Sequence, residues 1–296
     1  MAVVLSIMFA IQLALFSASP ARVGDPRCWE GFEDDRRKAC CSDAMAFLHL
    51  NCGKQPFGFE RCCFDVGNSA ESCTRSRSQF GEELSVIQLL GWQMKRNGIY
   101  VEMGALDGVT YSNTLALQTC LGWTGMLIEG SPRHFQRLYQ NYKDVESVII
   151  RYGAVCAPPL TNATFSKGMR VPSIDGDVTY LPTGLRKRFS YRRQRVVVPC
   201  RPMDWYLQQL PKKHVDFMSL DVEGAELEVL LTMDFTEVLV EVFLIELHDW
   251  GRSEQIQSWK IRKLMGNLGY KECRNVDVWP NGLFVLQDGP YSSRCS

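Results

Sequence analysis

Residues 100–113 read YVEMGALDGVTYSN. An apolar, β-prone start gives way to two glycines and then to a polar turn, which is how a strand ending in a tight loop is written. Carboxylates stand on both sides of Gly104, at Glu102 and Asp107. A strand end that receives a pyrophosphate offers bare N–H groups at a helix N-terminus, and paired carboxylates would repel that ligand. The same loop suits a ligand with a positive centre, an amino group and free ribose hydroxyls.

Around this stretch, apolar segments alternate with amphipathic ones. Strands are expected at 98–104, 124–129, 148–155, 215–221 and 238–246, with helices at 131–142, 225–231 and 253–268. Ser131 is read as the cap of its helix, with Pro132 at the first helical position and Gly269 stopping the longest helix. Segments 270–277 and 282–287 read as a terminal hairpin joined through Trp279-Pro280-Asn281-Gly282. The pattern is α/β, a parallel sheet covered by helices on both faces. In such sheets ligands bind beyond the carboxyl ends of the strands. Gly104 and Gly108 would let backbone approach a ligand closely, and Glu129, about 20 residues after the glycine turn, stands where a carboxylate accepts ribose hydroxyls. Adenosine without a phosphate satisfies both features.

The 296 residues, 46% hydrophobic, suffice for a sizeable core, and 33 Lys plus Arg balance 33 Asp plus Glu. No overall field draws the chain to nucleic acid or anionic lipid. Residues 1–21 read as a signal peptide: an apolar run of about 14 residues, short of the roughly 20 that span a bilayer, ends in small residues. An uncleaved anchor is the alternative and the one route to a membrane. Residues 22–78 hold seven of the twelve cysteines and form a small disulfide-rich module, with vicinal pairs at Cys40-Cys41 and Cys62-Cys63. Seven there and five elsewhere are both odd, so full oxidation requires a bridge between the two groups. Residues 74–80 read as the linker and 79–296 as the main domain. An insertion at 158–195 carries the sequon Asn162-Ala163-Thr164 and a basic run from Arg186 to Arg195, read as a solvated surface loop in a chain of the secretory pathway, whether retained in its lumen or secreted.

The segments 101–108 (VEMGALDG), 112–114 (SNT), 122–125 (GWTG), 128–130 (IEG) and 216–226 (DFMSLDVEGAE) resemble the FkbM family of S-adenosylmethionine-dependent methyltransferases, in that family's order. The resemblance covers roughly 98–287. It implies the Rossmann-like class I methyltransferase fold, with seven strands and one terminal antiparallel strand. By position it implies S-adenosylmethionine as cofactor, with Glu102, Gly104, Asp107 and Gly108 lining its methionine end and Glu129 on the ribose. Asn113 shapes the same loop or caps the next helix. Leu106 stands where generic methyltransferases of this fold have a third glycine.

Methyl transfer to oxygen calls for an in-line approach and removal of a proton. Asp221 is the first candidate base, Glu223 the second, and His248, with Glu246 at the end of the fifth strand, a third. Glu226 and Glu228 read as solvated, and His134 and His214 as structural. No metal is expected. The implied function is O-methylation of a hydroxyl, with a sugar or glycan as the candidate acceptor. The competing expectation, from resemblance to the family's Star-like eukaryotic branch, is a non-catalytic trafficking or binding protein built on the same fold.

Overall fold

The computed structural model describes residues 76–167, 175–182, 194–248 and 251–296. The signal segment, the 22–78 module as far as residue 75, and the Arg186–Arg195 basic run as far as residue 193 lie outside the described residues. In chain order the strands are β1 (Ile99–Met103), β2 (Thr124–Glu129), β3 (Val148–Tyr152), β4 (Ala154–Val155), β5 (Asn162–Lys167), β6 (Gln194–Arg201), β7 (His214–Val215), β8 (Phe217–Leu220), β9 (Leu239–Val240), β10 (Val242–Glu246), β11 (Tyr270–Cys273) and β12 (Asn281–Leu286). The helices are α1 (Glu82–Leu90), α2 (Leu115–Leu121), α3 (Pro132–Tyr142), α4 (Met203–Leu207), α5 (Glu226–Leu231) and α6 (Arg252–Asn267).

Seven strands form the main sheet in the order β11-β12-β10-β8-β1-β2-β3. β1 pairs in parallel with both β2 and β8, while β12 runs antiparallel between β10 and β11. The sheet reverses its winding at β1, and this is where a crevice opens beyond the strand ends. Side chains alternate between two cores. Tyr100, Val242 and Leu244 pack on one face with α1, α2 and α3, whereas Val101, Phe243 and Ile245 pack on the other with α5 and α6. All five residues of β1 and of β10 are buried, as expected for central strands covered twice.

Departures from the expected boundaries have local causes. Asp216 interrupts the 215–221 run: its carboxylate turns inward to accept the Ile99 N–H at 2.7 Å and to meet the Lys95 ammonium at 2.5 Å. Gly153, at φ +148°, splits β3 from β4. Ser131 occupies the N-cap of α3, but its side chain makes no capping hydrogen bond, and Pro132 alone supplies the helix-start chemistry. Gly269, at φ +83°, ends the last helix as expected.

The insertion is no simple loop. β5 and β6 pair antiparallel, and Asn162, exposed, sits at the start of that hairpin. A Cys156–Cys200 disulfide closes the hairpin's base, and Cys273–Cys295 pins the C-terminus to β11. Cys120 is disulfide-bonded to a partner outside the described residues. The end of the expected linker is also structured: Ser78 bridges to Tyr111, and Glu83 accepts hydrogen bonds from the Ser78 N–H and hydroxyl. Residues 76–80 thus form a strap over the loop after β1. Among the described residues no helix is long and apolar enough to cross a membrane.

Candidate active site

A cavity of about 330 Å³ opens beyond the carboxyl ends of β1, β2, β8 and β10, within the size range of small-molecule sites. Of the residues singled out in the sequence, Glu102, Gly104, Asn113, Glu129, Asp221 and Glu223 line it. Asp107, Gly108 and His248 do not.

The reason for the first two is visible in their contacts. Asp107 turns back on its own loop, accepting from the Val109 and Thr110 N–H groups (3.1 and 2.7 Å) and from the Thr110 hydroxyl (2.9 Å). Gly108, at φ +80°, presses its bare face against α3: a Cβ there would lie 2.3 Å from the Tyr142 ring, whose hydroxyl donates to the Gly108 carbonyl. Both residues serve the packing of the loop and lie outside the cavity lining. Gly104 does line the cavity, yet its missing Cβ serves a close approach of the β8 end: the Asp221 carbonyl oxygen fills that space.

Glu102 anchors the same loop. Its carboxylate accepts from the Asn113 N–H (2.7 Å) and the Ser112 and Thr114 hydroxyls (2.8 and 2.6 Å). Burial nevertheless pushes its pKa up to about 7, against those hydrogen bonds. Asn113 does not cap α2, whose N-cap is Thr114. Its Nδ2 donates to Ser219 Oγ at 3.1 Å, and its Oδ1, buried, has no hydrogen-bond partner. A buried acceptor left unmatched in a cavity wall is costly unless a ligand donor meets it.

Glu129 accepts the Leu106 N–H at 2.8 Å and the Ser131 N–H at 2.6 Å, one on each oxygen. Burial, with Asp175 nearby, raises it to about 8. Leu106 sits at φ +55°, in the left-handed region favoured by glycine, so the loop keeps glycine's conformation without glycine. Each Glu129 oxygen retains a lone pair for a further donor.

The fourth and fifth strand ends carry a carboxyl cluster. Burial raises both Asp221 and Glu246, Glu246 further because Asp221 and Glu226 repel its charge. Glu223, at φ +57°, is raised well above the usual carboxylate range by burial and by the charges of Glu246 and Asp221. His248 is buried behind them, its Nε2 3.0 Å from Glu246 Oε2, and lines a smaller neighbouring cavity of about 180 Å³ that also reaches Glu246. It therefore touches the larger cavity only through Glu246. Glu226, expected in solvent, is buried and accepts the Val222 and Gly224 N–H groups (3.1 and 3.0 Å), holding the turn after β8.

Several cavity residues escaped the sequence reading. His134, read as structural, lines the wall beside Glu129; burial and two arginines lower it to about 3, so it is neutral, and its Nε2 has no hydrogen-bond partner. Phe165 and Asp175 reach in from the insertion, and Phe80 and Trp279 stand at the mouth. The helical spacing of His134 carried no catalytic signal, and the others belong to segments that pattern alone leaves as loops. The ligand atoms of Glu223, Glu246 and His248 lie within 4.8 Å of one another, a spacing compatible with a cation, and His214, Asp216 and Glu241 cluster similarly at the opposite end of the sheet, where Lys95 already supplies positive charge.

The family model described as the methyltransferase FkbM domain matches residues 102–272. Among solved structures the chain is similar to a methyltransferase FkbM from Methylobacillus flagellatus KT, at 15% identity and TM-score 0.36, covering 64% of this chain and 43% of that one. It is also similar to an O-methyltransferase from Bacillus cereus in complex with SAH (12%, TM-score 0.41, 86% and 91% covered). A third is Aeropyrum pernix fibrillarin with natively bound S-adenosyl-L-methionine (13%, TM-score 0.39, 68% and 73%). No curated protein matches the chain.

Proposed function

The chain belongs to the methyltransferase FkbM domain family, and from that premise we propose that it is an S-adenosylmethionine-dependent O-methyltransferase acting on a hydroxyl, of a sugar or glycan, in the secretory pathway. One observation carries the reading: the carboxyls of Glu102, Glu129 and Asp221, with the unmatched Oδ1 of Asn113, converge on one cavity at the point where the sheet reverses. These groups fit the cofactor. Once ionised, the carboxylates are acceptors like the Asn113 Oδ1, suited to ribose hydroxyls and to ammonium and sulfonium charge and unfavourable to a phosphate. Glu129 would hold the ribose, and Asn113 with the loop ordered by Glu102 would hold the amino-acid end.

When bound, S-adenosylmethionine supplies an electrophilic methyl group. The chain's own contribution is to the acceptor proton. Asp221, at the cavity wall, has its proton affinity raised by burial toward that of a useful base and can take up the acceptor proton. Glu223 adds a third acceptor for substrate hydroxyls. His248 Nε2 stands 3.0 Å behind Glu246 Oε2.

Calorimetric titration of the purified full chain with S-adenosylmethionine and S-adenosylhomocysteine tests the reading. Micromolar binding that Glu129→Ala weakens at least about tenfold is expected. Absence of heat with both ligands ends it and leaves the non-catalytic, Star-like role of the fold.

A further inference from the structure

We propose that Phe80 and Trp279 form a platform for the methyl acceptor and that the group resting on it is a sugar ring; this deepens the O-methyltransferase reading and takes from it the identity of the acceptor. The two rings are 56% and 62% exposed, touch with centroids 5.4 Å apart, and both line the mouth of the 330 Å³ cavity. Exposed aromatics scattered singly need no explanation, whereas a pair in contact at a cavity mouth marks a binding surface.

The platform is held from beneath. Glu82, 2% exposed, accepts the Phe80 N–H at 2.7 Å on one oxygen and the Asn281 Nδ2 at 3.2 Å on the other, tying the strap to the first residue of β12. Asn281 is the register partner of Glu246, and the Leu247 N–H donates to the Pro280 carbonyl at 3.1 Å. Trp279 is thereby fixed at the Asp221–Glu246 end of the cavity, away from Glu129. Such rings offer large contact area with only two torsions to immobilise.

The chemistry selects the ligand. A pyranose presents an apolar C–H face that packs on aromatic rings, and an edge of hydroxyl donors. Here the rings share the cavity with the carboxyls of Asp221, Glu223 and Glu246, which accept hydrogen bonds from hydroxyls. A sulfated or phosphorylated acceptor would meet like charge and a phenol would satisfy one carboxyl of the three; a quaternary ammonium, which rings and carboxylates also attract, is the rival ligand the test must exclude.

The test applies the purified full chain, as wild type, Phe80→Ala, Trp279→Ala and Trp279→Phe, to an array of neutral N- and O-linked glycans, with tetramethylammonium and p-nitrophenol as competitors. Each variant is also titrated with S-adenosylhomocysteine. Wild-type binding to a set of glycans, about tenfold weaker in both alanine variants and restored in Trp279→Phe, is expected, with unchanged S-adenosylhomocysteine affinity. With an array hit as acceptor, Trp279→Ala should raise KM about tenfold and leave kcat within about threefold. No glycan bound, equal binding by the alanine variants, or displacement by tetramethylammonium or p-nitrophenol overturns the proposal. If S-adenosylhomocysteine fails to bind the wild type while the glycan pattern holds, the methyltransferase reading falls and the platform stands. If Trp279→Ala does not fold, Phe80→Ala decides.

Discussion

A Cβ placed on Gly104 would lie 1.7 Å from the carbonyl oxygen of Asp221. The turn after β1 and the end of β8 are in van der Waals contact only because residue 104 has no side chain, and its φ of +87° independently disfavours any other residue. Gly104→Ala should therefore push the Asp221 backbone aside and cost at least about 3 kcal/mol, from strain plus clash. Denaturant unfolding measures it. A change below about 1 kcal/mol would mean that the two strand ends are not packed as described.

Asp221→Asn removes the ionisable group while keeping shape and the contact with Glu246. If Asp221 takes the acceptor proton, kcat should fall by about 10² to 10⁴ while the affinity for S-adenosylhomocysteine stays within a few-fold. Retained turnover would transfer the role to Glu223 or Glu246.

The sheet was legible because β1, β2, β8 and β10 are short apolar runs ended by turn residues, and because Pro132 and Gly269 punctuate helices by mechanisms that do not depend on tertiary context. The candidate site was legible where carboxylates stand at strand ends, at Glu102, Glu129, Asp221 and Glu223. It was less legible where the same residue types serve the loop itself: Asp107 and the buried Glu226, expected in solvent, accept backbone N–H groups within a few residues of their own position, and no one-dimensional pattern separates an acceptor turned inward from one turned toward a ligand. His134, Asp175, Phe80 and Trp279 reach the cavity through long-range packing, through α3 against β2 and through Glu82 bridging to Asn281 across about 200 positions of sequence.

Ligand binding should depend on pH. Glu129 and Glu102 are raised to about 8 and about 7 from the 4.5 of a solvated glutamate. A carboxyl raised on folding contributes stability that is complete below about 4.5 and is lost as pH climbs through its folded value, so the ligand-free protein should become less stable between about pH 5 and 8. Hydroxyl and cationic donors favour the ionised form, so S-adenosylmethionine must expel protons. Its affinity should tighten about tenfold from pH 6.5 to 8.5, and calorimetry in buffers of different ionisation enthalpy should detect proton release. Glu129→Gln should flatten most of that profile. A flat wild-type profile, or one that weakens with pH, would contradict ribose recognition by Glu129.

Reduction should reach the cavity through the insertion. Cys156 and Cys200 are buried in a small core with Ala163, Phe165 and Val198, and their bridge closes a sequence separation of 44 residues. Constraint of a loop that long stabilises by about 2 to 4 kcal/mol. The same core holds Phe165 against Gly130, where a Cβ would lie 2.4 Å from its ring, so the hairpin forms one wall of the site beside Glu129. The paired replacement Cys156→Ala with Cys200→Ala should lower the midpoint of thermal unfolding by several degrees, about 2 to 4 °C per kcal/mol for a chain of this size. Before the protein unfolds, it should also weaken S-adenosylmethionine binding severalfold, because Phe165 loses its fixed position. Stability lost without any change in affinity would show that β5 and β6 cover the cavity without shaping it.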